Sequence, residues 1–179
     1  MFETEPEIRR LQTLLDSSLA RSTAHLRSII TPGERSLRAD QVVRLLDGMC
    51  VLVLSTVTAR GEPRVSAVDG HLIHGRWVFG TSRGAAKARH LRARPAASVA
   101  HVRGEELGVF VHGVVEELIR PDGTAAADWP EIHEYLRGAY GDDSFDWQDV
   151  VYFRLQPTWM AVYASEPQRL LGEPDRAAR

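Results

Sequence analysis

Phe79-Gly-Thr-Ser-Arg-Gly-Ala-Ala-Lys-Ala-Arg-His-Leu-Arg-Ala-Arg-Pro95 decides how the rest of the chain is read. An apolar strand runs into the small and hydroxylated residues Gly80, Thr81 and Ser82. A basic helix over 82–94 follows, carrying Arg83, Lys87, Arg89, Arg92 and Arg94, and Pro95 closes it. The start of a helix has unsatisfied N–H groups and the positive end of the dipole, and both favour an anion. Thr81 and Ser82 add hydroxyl donors, while Arg83 and Lys87, four apart, share a face. A phosphate at this corner receives charge-assisted hydrogen bonds from several directions. A solvated basic helix face is the competing reading. Of the 22 lysine and arginine residues, Lys87 is the only lysine.

On both sides of this stretch the chain reads as short strands. Residues 50–57, 64–73, 76–81, 96–102, 107–118, 150–155 and 158–164 are strand candidates, separated by turns such as Ala59-Arg60-Gly61-Glu62-Pro63 and His74-Gly75. Pro157 divides the last two. Seven strands at short spacing, in an antiparallel meander, suggest a small barrel or sandwich. An amphipathic helix is expected over 5–30, stopped by Thr31-Pro32-Gly33. A second helix starts at Ser36 as N-cap and stops at Gly48, and a third spans 129–140. The expected organisation is a helical extension over 1–35, a barrel domain over 36–165 and a flexible tail over 166–179.

Composition excludes several classes. The 179 residues are 44% hydrophobic and 26% charged with net charge −2, as for a globular domain with no global attraction to nucleic acid or anionic membrane. The arginines have no interleaved aromatics, which argues against single-strand nucleic-acid binding. No apolar run reaches the ~20 residues of a membrane span. A single cysteine, Cys50, cannot form an internal disulfide, and a cytoplasmic location is expected. The seven histidines form no zinc pattern, so no metal site is expected. His101 and His112, on neighbouring strands, are candidates to pair, with satisfied polar positions in the sheet as the preferred reading. The aspartates at 142, 143, 146 and 149 have neither the spacing nor the closing glutamate of an EF-hand.

Three blocks in order resemble the pyridoxamine 5'-phosphate oxidase-like split-barrel superfamily. They are Arg64-Val-Ser-Ala-Val68; Phe79-Gly-Thr81 with Lys87-Ala-Arg89, Leu91 and Pro95; and the alternating strand from Val109 to Leu118. The resemblance spans about residues 36–164. It implies a mainly β, α+β fold, an antiparallel split β-barrel of the FMN-binding type with an N-terminal helical extension. It implies a homodimer with two cofactors at the subunit interface. Lys87 and Arg89 would grip the cofactor phosphate beside Arg64, Thr81 and Ser82, and the backbone of Val65, Ser66 and Ala67 would face the isoalloxazine edge.

The true oxidases differ at three places. They carry a lysine where Asp69 stands, a glutamine near Gly108, and a Trp- and Arg-rich C-terminal segment. The pattern Gly80-Thr-Ser-Arg-Gly-x-x-Lys-x-Arg-x-Leu is closer to flavin or deazaflavin (F420) reductases, many of them actinobacterial, and the arginine bias fits such a high-GC genome. The implied function is hydride transfer from FMN or coenzyme F420 to a small organic acceptor, with His71 and Tyr163 the candidate proton donors. The alternative is a non-catalytic carrier of flavin, haem or another tetrapyrrole on the same fold, with a histidine axial ligand in the haem case.

Overall fold

The computed structural model of the chain describes residues 2–141 and 149–172. Helices α1 (Glu5–Ala20), α2 (Ala24–Ile29) and α3 (Ala39–Leu45) precede the strands β1 (Met49–Val57), β2 (Pro63–Ile73) and β3 (Arg76–Ser82). Helix α4 (Ala86–Ala93) leads to β4 (Ala96–Arg103) and β5 (Leu107–Glu117). Helix α5 (Trp129–Tyr140), strand β6 (Val150–Ala164) and helix α6 (Pro167–Leu170) complete the order. The six strands form a closed antiparallel barrel in the order β1-β2-β3-β6-β5-β4. It is a split barrel: β2 and β3 share only part of their length, and β1 and β4 pair only over Val53–Ser55 and Ser98–Ala100.

Alternation along β1 places Cys50, Leu52, Leu54 and Thr56 inward, and they are buried. Trp77 and Phe79 of β3, Val99 of β4, Val111 of β5 and Phe153 and Leu155 of β6 fill the same core. Leu11 and Leu15 of α1 belong to that core too, so the N-terminal helix lies on the barrel itself. The α5 segment covers the outer side of β3 and β6, where Ile132 and Leu136 pack with Ile73, Val78, Leu118 and Tyr152. Cys50 is a small core residue, and burial pushes its thiol above the ordinary range.

Four sequence expectations change. The single helix over 5–30 is two helices, because Thr23 caps a new one by accepting the Leu26 N–H at 3.2 Å. The second helix begins at Ala39 rather than after Ser36. There Gln41 accepts the Arg38 N–H at 2.9 Å and Gln12 accepts the Ala39 N–H at 2.9 Å. The basic helix begins at Ala86, since Ser82 is still paired in β3 opposite Val150. Finally, there are six strands, not seven. The register runs His112↔Trp159 and then Gly113↔Pro157, so Thr158 is the extra residue of a β-bulge. A bulge tolerates a residue without an N–H, and the strand continues through Pro157.

The two-residue hairpin at His74-Gly75 has the predicted turn. Both residues have positive φ, 54° and 70°, as the twist of a tight hairpin requires. His74 is held in this unusual conformation by Glu7 on one side (3.2 Å) and Glu131 on the other (3.5 Å). The predicted tail over 166–179 begins with α6, and residues 173–179 lie outside the described residues, as do the aspartates at 142, 143 and 146. No helix among the described residues is long and apolar enough to cross a membrane.

Candidate functional site

The candidate cleft lies between β2 and β3. These strands pair only from Gly70↔Phe79 to Ile73↔Arg76. Beyond that point, residues 64–69 of β2 pair with β1 alone, and residues 80–82 of β3 pair with β6 alone. Alternate residues of an antiparallel strand turn their N–H and C=O groups to opposite sides, so the free edge of β2 offers backbone donors and acceptors to the cleft.

Helix α4 bridges the mouth of this cleft. It is entered from β3 through the turn at 83–85 and leaves through Arg94-Pro95 into β4, which pairs with β1. Two bonds fasten its flank to β1. Thr56 Oγ1 and His90 Nδ1 are 3.0 Å apart, and Arg94 Nε donates to the Val57 carbonyl at 2.9 Å. Lys87, one turn before His90, lies on the same flank. Thr56 is the register partner of Arg64, and such partners project from the same face of the sheet. Ser66 lies next along that face, and Thr81 continues the inward row of Trp77 and Phe79. The fold therefore brings Arg64, Ser66, Thr81 and Lys87 to one end of the barrel.

The other sequence candidates are placed differently. Ser82 projects to the opposite side from Thr81, and its hydroxyl donates to Asp149 at 2.7 Å. Val65 and Ala67 have their side chains on the outer face, with their backbone on the cleft edge. Arg89 donates to the Gly84 carbonyl at 2.7 Å and so braces the turn before α4. Arg64 pairs with Glu62 at 3.0 Å, and Arg60 reaches the same carboxylate at 3.2 Å. Those bonds, Arg60's first, hold the Glu62 carboxyl below its usual range. Among the described residues, nothing pairs with the half-buried Lys87 ammonium, and the Thr81 hydroxyl has no partner.

The outer side of the same cleft holds a polar cluster that the sequence reading did not assemble. His71 is 2% exposed. Its Nδ1 lies 3.0 Å from the Tyr135 hydroxyl and its Nε2 2.9 Å from the Tyr140 hydroxyl. Burial pushes the imidazole below its ordinary range, with Asp69 opposing, and pushes Tyr140 up to about 12. A neutral ring has one N–H and one lone pair, so one tyrosine donates to His71 and the other accepts. Beside them lies a cavity of about 120 Å³ whose walls include Asp69, His71, Thr81, Ser82 and Tyr140. Tyr135 and Tyr140 were legible only as positions on an amphipathic helix; no local signal marks their partner about 65 residues earlier.

His71 yields a pH prediction. Its folded-state pKa is depressed, so below the ordinary value of 6.5 the unfolded chain binds the proton and the folded chain does not. Stability from this group is therefore complete above that value and declines as pH falls through it. His71→Gln flattens the fall in melting temperature between about pH 7 and pH 5. Parallel slopes for wild type and variant in a thermal-shift series would contradict this.

His101 and His112 do not pair: they face opposite sides of the barrel wall. His101 is buried, with Nδ1 2.9 Å from the Val51 carbonyl and Nε2 accepting from Arg103 at 3.0 Å. His112 lies on the outer face, stacked on Trp159 with ring centres 4.7 Å apart, its Nδ1 2.8 Å from Ser98 Oγ. Tyr163, register partner of Gly108, is half-buried. Among the described residues, no group of His, Cys, Asp and Glu is arranged to hold a metal ion.

The family model described as pyridoxamine 5'-phosphate oxidase matches residues 39–163, well over half of the chain. The chain belongs to this family. The match begins at α3 and ends within β6, so it takes in the whole barrel, the cleft and α4. No curated protein matches the chain.

Solved structures share the fold at low identity. The conserved hypothetical protein Rv2991 of Mycobacterium tuberculosis is 17% identical with a TM-score of 0.56, covering 83% of this chain and 96% of that one. An F420 reductase is 22% identical with a TM-score of 0.51, over 65% and 93%. The haem storage protein HutZ of Vibrio cholerae is 22% identical with a TM-score of 0.58, over 69% and 93%. The same fold is thus found in a protein described as an F420 reductase and in one described as a haem storage protein.

Proposed function

We propose that this family member is an oxidoreductase that binds a phosphate-bearing flavin, FMN or coenzyme F420, in the β2–β3 cleft and acts on a small organic acceptor. The observation that carries the reading is Lys87, a half-buried cation without a partner among the described residues, on the helix that bridges the cleft. Thr81 adds a free hydroxyl, and Arg64 a guanidinium shared with Glu62. Arg89 supports the turn before α4, and Ser82, held by Asp149, lines the far wall. These groups fit a phosphate: one cation and one hydroxyl await an acceptor, and a second cation stands at the rim. The backbone edge at Val65, Ser66 and Ala67 suits the hydrogen-bonding rim of a flavin ring. The bound cofactor supplies hydride transfer, while the chain binds it, orients it and excludes water. His71, joined to Tyr140 at the cavity, is the residue we assign to proton transfer ahead of Tyr163.

We read the assembly as a homodimer. Val51, Val53, Val102 and Phe110 are exposed on the outer face of adjacent strands β1, β4 and β5, at 53%, 44%, 53% and 40%. A contiguous apolar patch of this kind marks an interface, and a second copy placing the same patch against it closes the pair. Phe110→Glu converts a species of twice the chain mass into a monomer in sedimentation equilibrium. We read the compartment as the cytoplasm, on the single buried cysteine.

The test is titration of the purified chain with FMN, F420 and haemin. Flavin or deazaflavin binding tighter than roughly 100 μM, about −5.5 kcal/mol, followed by oxidation of the reduced cofactor by an added acceptor, supports the enzyme. Failure of both to bind overturns it. One observation favours the second reading, a haem carrier: the apolar outer face presents His112, whose Nδ1 is bonded and whose Nε2 is free among the described residues. A Soret band with no hydride transfer would support that reading.

A further inference from the structure

The start of α4 is held weakly by its own residues. Ala85 stands at the N-cap with no side-chain acceptor, and the first turn has no acidic residue. Lys87 lies in that turn, where its charge meets the positive end of the helix dipole. Local forces therefore do not place a cation here. Ala88 and Leu91 bury one stripe of the helix and set its depth in the barrel. Two apolar contacts along one stripe leave the helix free to roll about its axis. The directional bonds on the flank remove that freedom: His90 to Thr56 and Arg94 to the Val57 carbonyl.

Thr56 is an unusual residue for its place. It is 2% exposed and continues the inward row of Cys50, Leu52 and Leu54, where an apolar side chain would pack as well. Its hydroxyl is satisfied by His90 Nδ1. We propose that Thr56 and His90 are positioning residues for the cofactor phosphate, their hydrogen bond setting the roll of α4 so that Lys87 stands over the cleft mouth before any ligand arrives. Such preorganisation adds to affinity by removing the ordering cost at binding. This rests on the reading of the Lys87 corner as a phosphate site.

The experiment compares each chromophore with and without its phosphate: FMN against riboflavin, and F420 against the phosphate-free deazaflavin riboside. The FMN–riboflavin ratio of dissociation constants isolates the phosphate contact from the ring, while the deazaflavin ratio reports the phosphate together with the lactyl-glutamate tail it carries. In wild type the phosphate-bearing form of the preferred chromophore binds at least 50-fold tighter. Thr56→Val, close in shape but without the hydroxyl, lowers the ratio about tenfold and leaves the phosphate-free affinity within twofold. His90→Ala does the same, and Thr56→Ser restores the wild-type ratio. An unchanged ratio in Thr56→Val and His90→Ala overturns the positioning role. A wild-type ratio near one overturns the phosphate reading, and no binding of any of the four overturns the cofactor reading; the proposal falls with either.

Discussion

Lys87→Ala weakens binding of the phosphate-bearing cofactor about thirtyfold, close to 2 kcal/mol, the usual size of a hydrogen bond to a charged group. The loss is large because nothing among the described residues shares this ammonium. In the free protein it is not neutralised, so its full attraction is available to an incoming phosphate. Arg64 is the counter-case. Its guanidinium already meets Glu62 at 3.0 Å, and Arg60 competes for the same carboxylate. Arg64→Ala therefore costs only about threefold, because releasing Arg64 from Glu62 offsets part of what the phosphate contributes. Folding should be indifferent to Lys87→Ala, since alanine is the better helix former at a half-buried position. Fluorescence titration with wild type and both variants checks the ranking. Equal affinities for wild type and Lys87→Ala would remove Lys87 from the site.

Gly113→Ala costs about 3 kcal/mol of stability and lowers the melting temperature by roughly 10 °C. A Cβ at this position would lie 2.0 Å from the Gln156 carbonyl oxygen and 3.1 Å from the Pro157 Cα. Both are backbone atoms of β6 at the bulge, so no side-chain rotation relieves the overlap. The bulge is further pinned by Thr158, whose hydroxyl donates to the His112 carbonyl at 3.2 Å. Gly70→Ala is the informative comparison. There the added carbon meets the Leu52 side chain at 2.3 Å, and a leucine can change rotamer where a carbonyl cannot move. Calorimetry on the two variants should show the larger loss at Gly113; the reverse order would mean the bulge yields more easily than the core.

Much of the barrel was legible along the chain because its signals are local. The apolar run at 50–57 reads as a buried strand and the alternation from Val109 to Leu118 as a second. Both strands are found, but β1 buries only the face of Cys50, Leu52, Leu54 and Thr56 and leaves Val51 and Val53 exposed. The turn at His74-Gly75 and the stop at Gly48, with φ of 82°, follow from backbone chemistry that two or three residues decide. The expectations that changed involve partners distant in sequence. Pro157 reads as a strand break until Gly113, 44 residues earlier, supplies the close approach that accommodates the bulge. Ser36 reads as an N-cap until Gln12 of α1 takes the Ala39 N–H.

For the candidate site, the residue types around Phe79–Pro95 (hydroxyls, a turn, and a helix rich in cations) suggest an anion by themselves, with a solvated basic helix face as the competing reading. What those residues could not determine is which cation is left free. Arg89 turns back on Gly84, Arg64 goes to Glu62 and Ser82 to Asp149, whereas the Lys87 ammonium, like the Thr81 hydroxyl, is left at the cleft without a partner among the described residues. That selection depends on how α4 lies across β1, through Thr56 and His90, and on a split whose edges meet only when the barrel closes. Charge and helix periodicity act over a few residues and can be read from the chain. The roll of a helix and the pairing of one charge with another are set by contacts across the whole fold, and only the tertiary structure decides them.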